Sequence, residues 1–279
     1  MKKGVALFFT FIFIIIIFAI ANEVFRVYKN YSTKNYAQII NQNSIFISNI
    51  TNILKRMDIN SSDDLKNVLT SFLLFSKEGD FRGLVKISIE SNKISLNNYL
   101  KNNKINKNID NFLDLLFEKY EIADPFLLKS IILDTLDMDN KERLGYSEIK
   151  LENNYFPNGD INKDILKKII DHYYKKSEDK NVYKIPWDKL FTFFKTPAYC
   201  EFLNKEILNI LGFEKSCEET MENNKKTLEK LNIISFNRIK PLIVKIDINY
   251  VLNKNEENLK IFYDINKKKV IRIENSILY

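Results

Sequence analysis

Glycine and histidine are nearly absent from this sequence. Six glycines serve 279 residues, too few for a P-loop or a dinucleotide-binding fold, which need glycine where backbone closes on phosphate. The one histidine, His172, leaves little room for a His-built zinc site or a Ser-His-Asp triad. It follows an apolar helical face and has no cysteine or paired carboxylate beside it in sequence, so packing or surface placement fits it better than catalysis. Cysteine is limited to two and tryptophan to one, which excludes a disulfide-built mini-domain. With 45% hydrophobic and 28% charged residues, low-complexity disorder and collagen-like fibre are excluded as well. No second run of about 18 apolar residues follows the first, so the chain is not polytopic in a membrane. Composition points away from an enzyme.

Positive charge is in modest excess: 43 Lys+Arg against 36 Asp+Glu give a net charge of +7. Such a balance suits nucleic acid, anionic lipid or an ordinary solvated surface. The longest basic run is only Lys267-Lys268-Lys269 and acids are interspersed with bases throughout. A solvated surface is expected, with no direct binding to nucleic acid.

The N terminus carries the organisation. Met1-Lys2-Lys3-Gly4 precedes an uninterrupted apolar run over residues 5–21, which as a helix would cross ~26 Å, near the hydrocarbon thickness. Lys2 and Lys3 should stay cytoplasmic and send the rest of the chain outward. Three readings are open. A secretory signal peptide ends in a small-x-small site, which Ala19-Ile20-Ala21 supplies. A plain signal anchor is the second. The third rests on Gly4: type IV prepilins have a short basic leader and a Gly at which a peptidase cuts on the cytoplasmic face. Val5 would then be the first mature residue and Phe9 the fifth, where major pilins carry Glu. A lone carboxylate in lipid is costly, so that Glu marks pairing with a neighbour's N-terminal ammonium.

From Asn22 to about Arg56 the spacing of Phe25, Tyr28, Ala37, Ile40, Ile47, Ile50 and Leu54 predicts a continuing amphipathic helix. Ser62-Asp63-Asp64 opens a second helix expected to run through Leu65, Val68, Leu69 and Phe72. Gly83–Glu90 alternates like a strand, and Ser91-Asn92-Lys93 then turns it into Ile94–Asn97, a predicted hairpin. The middle reads as helical. Asp124-Pro125 supplies an N-cap and an N1 proline, Asp160 precedes the stripe Ile161, Ile165, Leu166, Ile169, Ile170 and Tyr173, Pro186 opens Trp187–Phe191, and another helix runs from Lys205 to Leu211. The segment 214–227 reads as a polar stretch. Strands return at Leu242–Val251, Leu259–Tyr263 and Val270–Ile273. One α/β domain holding an all-helical insertion accounts for this order better than two sequential domains. No internal repeat is visible.

One stretch concentrates oxygen ligands. Asp137, Asp139 and Glu148 stand at relative places 1, 3 and 12, the carboxylate spacing of an EF-hand loop. Lys141 and Glu142 break the match where a ligand and a glycine belong, so an EF-hand is not expected. A different calcium loop built from Asp137, Asp139, Asn140 and Glu148 competes with a metal-free acidic turn neutralised by Arg143. Cys200 and Cys217, if exported, can pair across a loop of about 17 residues, worth ~3 kcal/mol of chain entropy. Two free buried thiols are the alternative.

The stretch Asp134-Thr-Leu-Asp137-Met-Asp139-Asn-Lys-Glu-Arg143-Leu-Gly145-Tyr-Ser-Glu148 resembles a signature of general secretion pathway protein K, roughly D-W-L-D-x-D-x-x-x-R-x-x-G-A-E. Asp134, Leu136, Asp137, Asp139, Arg143 and Glu148 fall in place. Thr135 replaces the Trp and Ser147 the Ala, while Tyr146 stands where the pattern has Gly and Gly145 comes one place early. The leader Lys3-Gly4-Val5-Ala6-Leu7 is similar to that family's start, which also lacks the Glu missing at Phe9. Upstream, Gly83 to Leu100, with Ile94-Ser95-Leu96-Asn97-Asn98, is similar to its G-x-x-(N)-L-N-N segment.

The resemblance implies a minor pseudopilin at the tip of a type II secretion-like pseudopilus, serving protein secretion or DNA uptake in natural transformation. It implies an α+β fold: an N-terminal transmembrane helix and a pilin-like α/β domain with an inserted all-helical domain. The expected organisation is a leader at 1–4, the N-terminal helix at 5–60, pilin-like parts at 61–108 and 225–279, and the helical insertion at 109–224. It further implies cutting between Gly4 and Val5 by a prepilin peptidase, methylation of the new terminus, a single-pass inner-membrane protein with a periplasmic domain, and I- and J-like pseudopilins as partners. Calcium is implied too, with ligands carried over onto Asp137, Asp139 and Glu148. The competing class is a signal-anchored periplasmic binding or accessory protein that never enters a filament.

Overall fold

The computed structural model describes residues 41, 43–45, 47–56, 59, 61–69, 71–75, 81–237, 239–252 and 255–277. The leader, the apolar run, Phe9 and the predicted helix before residue 41 lie outside the described residues. Among those described, no helix is long and apolar enough to cross a membrane.

Five antiparallel strands form the main sheet, and they stand side by side in chain order: β1 (Ser71–Phe75), β2 (Phe81–Ile89), β3 (Ile243–Leu252), β4 (Asn255–Asp264) and β5 (Lys269–Ile277). A simple meander is thus interrupted once, between Ile89 and Ile243. The period-two alternation along β3 explains one face. Val244, Ile246, Ile248 and Tyr250 alternate with more exposed residues, and Leu259, Ile261 and Tyr263 of β4 are buried with them in one core.

That face is covered by helix α1 (described over 41, 43–45 and 47–56), whose Ile50 and Leu54 are buried with the strand residues in one core. Each such side chain removed from water contributes roughly 1.5–3 kcal/mol. Two polar contacts clamp α1 to the sheet side. The Tyr250 hydroxyl donates to Asn43 Oδ1 at 2.7 Å, and Lys268 Nζ donates to the Lys55 carbonyl at 3.0 Å.

Helix α2 (Ser62–Val68) begins in a capping box between Ser61 and Asp64. It ends sooner than its sequence predicted. Phe72 belongs to β1, opposite Val85, because pairing with β2 outweighs the helical spacing of the preceding apolar residues. The predicted hairpin is also replaced. Glu90 and Ser91 both direct their amides at the Ile243 carbonyl, which takes the chain out of the sheet at Ser91. Ile94–Ser95 then pairs in parallel with Phe191–Thr192, and Ile94 and Leu96 enter a second core.

That second core is helical and draws residues from Ile94 to Ile233. It is built by α3 (Lys107–Lys119), α4 (Pro125–Leu136), α5 (Ile149–Glu152), α6 (Lys163–Ser177), α7 (Trp187–Leu190), α8 (Lys205–Ile210) and α9 (Cys217–Lys230). The caps are local sequence effects. Asn106, Asp124, Asn162 and Ser216 each accept a backbone amide in the first turn of their helix. Helix α9 occupies what read as a polar stretch. Its buried positions are only Cys217, Thr220, Met221 and Leu228, and a kink at Asn224 breaks their spacing, so no apolar stripe announces it. Cys200 and Cys217 are joined by a disulfide with Cα atoms 5.3 Å apart, which ties the first turn of α9 to the segment after Ala198–Tyr199.

The two cores meet at a buried polar seam. Ser91 Oγ accepts the Ile243 amide at 2.8 Å and lies 3.2 Å from Thr196 Oγ1, and Thr196 donates to the Pro241 carbonyl at 2.8 Å. Tyr199, fully buried, spans the seam and donates toward the carbonyls of Asn237 and Lys240, each 3.0 Å away.

Candidate functional site

The acidic turn lies at the C-terminal end of α4. Asp124 caps that helix and Pro125 opens it. Its buried stripe leaves Asp134 with no exposed surface. Asp137 is the C-cap in extended backbone, and the chain then doubles back over the helix end.

Arg143 is the centre of that return. Its amide donates to Asp134 Oδ2 at 3.0 Å, and its guanidinium donates to Asp134 Oδ1 and to Asp137 Oδ2. Ser147, also fully buried, donates to Asp134 Oδ2 at 2.5 Å. Burial pulls the Arg143 pKa down, but the hydrogen bonds and charges of Asp137 and Asp134 outweigh it and hold it above the usual arginine value. Asp137 goes the other way. Burial raises its carboxyl despite the guanidinium, and its Oδ1 is buried with no hydrogen-bond partner.

Glu148 stands apart from the arginine. Its side chain caps α5 by accepting the Lys150 amide at 3.0 Å, and it is 1% exposed. Burial raises its pKa, opposed by the Lys150 amide and Asn158. The Asn158 side-chain amide donates to both Glu148 oxygens at 3.3 and 3.2 Å and to the Asp139 carbonyl at 3.0 Å. Asn158 is held in place by its neighbour: the Gly159 amide donates to the Thr135 carbonyl at 2.7 Å, with Gly159 at φ +130.

The sequence-predicted ligands are therefore brought near one another in two groups. Asp137 joins Asp134 around Arg143, and Glu148 joins the main chain of Asp139 around Asn158. The Asp139 carboxylate faces outward and accepts the Lys141 amide at 2.8 Å. Asn140, the fourth candidate, is exposed. Among the described residues, no three His, Cys, Asp or Glu side chains are grouped as a metal site. The donors that share one partner, Asn158, are all oxygens: two from Glu148 and the Asp139 carbonyl. That chemistry suits a hard cation such as calcium and not zinc. Asn158 has no periodic or spacing signal in the sequence, because a loop contact and not a helical register puts it here.

Tyr146 has φ +70, a left-handed conformation that bulky residues adopt at a cost. Its carbonyl lies 2.8 Å from His172 Nε2, and its ring lies under the Lys176 ammonium, 4.5 Å away. His172 is mostly buried and packs under this turn.

No protein-family model matches this chain, and no curated protein is significantly similar to it. Its fold is similar to that of a chain in the crystal structure of the GspK–GspI–GspJ complex from the type 2 secretion system of enterotoxigenic Escherichia coli. The TM-score is 0.60 at 12% identity, covering 89% of this chain and 99% of that one. At that identity the likeness is one of fold: this chain has an α+β, pseudopilin-like fold.

Proposed function

We propose that this chain is a minor pseudopilin of the K type, a non-catalytic subunit at the tip of a type II secretion-like pseudopilus used for protein secretion or DNA uptake. The observation that carries the reading is the backbone at Tyr146. The K-type signature has Gly at this place, and this is where the chain turns left-handed, φ +70. The signature's Asp134, Asp137 and Arg143 converge beside it. A sequence pattern that meets its conformational reason in the fold is stronger support than the pattern alone.

In this reading the N-terminal helix anchors the chain in the inner membrane after cutting between Gly4 and Val5, and the sheet and helical insertion stand in the periplasm. The insertion blocks addition of a further subunit above it. Calcium, when bound, would be held by Glu148 and the Asp139 carbonyl. It would supply positive charge to carboxylates that burial otherwise disfavours.

The partners would be I- and J-like pseudopilins. Strand β5 is an edge strand whose Ile271 and Ile273 are 39% and 45% exposed, and α1 shows Ile45 and Ile53 at 51% and 53%. An exposed edge with apolar side chains is what a neighbouring subunit can cover. Replacing Ile45 and Ile53 by Asp should abolish co-purification with the I- and J-like subunits from membranes while leaving the chain folded. Unchanged recovery of both partners would count against this face. Deleting the gene and scoring secretion and transformation separates the two kinds of machine.

A further inference from the structure

The outer face of the sheet, away from α1, is not closed by the helical insertion. Between β3–β5 on one side and α6 with the 183–194 segment on the other lies an open cleft of about 470 Å³, within the size range of ligand sites. Aromatic rings make up most of its apolar surface, Trp187, Phe191, Phe193, Phe194 and Phe262, beside three aliphatic side chains. Trp187 and Phe191 are 5.5 Å apart, and Phe194 and Phe262 are 4.9 Å apart. Trp187 is 7% exposed, and its indole nitrogen already donates to Val182, so it offers a ring face and not a donor.

The rim is unevenly charged. Six cationic and four carboxylate side chains line the cleft. Glu90 is bonded to Lys93 and Glu274 to Arg272, each at 2.9 Å, while Asp171 accepts the Tyr183 hydroxyl at 2.9 Å. Lys245 pairs with Asp247 at 3.0 Å. Lys163 and Lys167 on α6 and Lys260 on β4 have no ion pair among the described residues. Opposed to these three is the single exposed carboxylate of Asp188.

We propose that this cleft binds an acidic peptide segment of a partner protein, an apolar side chain entering the aromatic floor and carboxylates meeting Lys163, Lys167 and Lys260. The unpaired ammoniums stand on both walls. A ligand with one carboxylate leaves two of them unmatched, whereas a chain carrying several answers them together. An extended segment also supplies the apolar side chain that makes burial against the rings favourable. The site is independent of the pseudopilin reading, since it uses neither the acidic turn nor the α1 face.

The chain has one tryptophan, so Trp187 emission reports on the cleft without labels. The full-length protein in detergent would be titrated with the blocked peptide Glu-Phe-Glu-Leu-Glu and with its Lys-for-Glu counterpart, with calorimetry in parallel. The acidic peptide should bind saturably below roughly 1 mM with a change in emission, and the basic one at least tenfold more weakly. Lys167→Glu with Lys260→Glu should weaken acidic-peptide binding at least tenfold, and Phe193→Ala should weaken it without reversing the charge preference. These exposed or half-buried positions leave the melting temperature as a control of folding. No saturable binding, equal binding of the two peptides, equal binding by the lysine variant, or calorimetric binding with silent emission would each overturn the proposal.

Discussion

At the scale of single residues, the acidic turn is governed by what burial does to a carboxyl. Glu148 is raised from the ordinary value of 4.5 chiefly by burial. A carboxyl raised in the folded chain holds its proton more tightly there than in the unfolded chain. Stability from this group is therefore greatest as the pH falls toward 4.5 and declines as the pH rises through the folded value. Glu148→Gln should raise the melting temperature at neutral pH in calcium-free buffer, and the gain should shrink on acidification to that value. If the turn holds calcium, the wild-type chain should instead be stabilised by millimolar calcium, as any ligand of the folded state stabilises it, and the Gln variant should not respond. Thermal denaturation at two pH values, with and without calcium, reads both effects. Tyr146 gives a second test. Tyr146→Gly should be neutral or stabilising by up to ~1 kcal/mol, since strain relief offsets the lost contact with Lys176. Tyr146→Val should cost more than about 1 kcal/mol in denaturant titration, because a β-branched residue fits the left-handed region worst. Equal effects of the two changes would mean that φ is not what the position demands. The acidity of this turn is plain in the sequence. Which oxygen faces which partner is not, because Asn158 arrives through a loop fixed by the Gly159–Thr135 backbone bond, a contact without periodicity.

At the scale of elements, legibility followed the strength of the local signal. The Asp124-Pro125 start of α4 and the alternation of β3 were readable because caps and period-two burial are encoded within a few residues. Helix α9 was not, since its four buried positions are interrupted by the kink at Asn224. The end of α2 at Val68 and the parallel pairing of Ile94–Ser95 are set by distant partners, β2 and Phe191–Thr192, and no local pattern carries that information. A weakly apolar, kinked helix should depend on its tether. Reducing the Cys200–Cys217 bond, which closes a separation of 17 residues, should cost about 3 kcal/mol by chain entropy. Amides of Cys217–Lys230 should then exchange faster than those of α4, as measured by hydrogen exchange with and without reductant. Uniform acceleration across both helices would show instead that the whole helical unit opens together.

At the scale of the molecule, one covered and one open sheet face divide the surfaces. The α1 side has the continuous core and the edge strand that the proposed neighbouring subunits would cover, and the other side has the cleft. The sequence order of strands, helices and strands points to this arrangement because an antiparallel meander with one interruption folds its ends together whatever is inserted. The central claim, a pseudopilin subunit, depends most on what happens at the N terminus, where Gly4 precedes the apolar run. Intact mass spectrometry of the chain extracted from its own membranes tests that directly. The account predicts a mature chain beginning at Val5, short by four residues and bearing an N-methyl group, with the apolar run retained. A chain beginning near Asn22, or one still carrying Met1-Lys2-Lys3-Gly4, would contradict it.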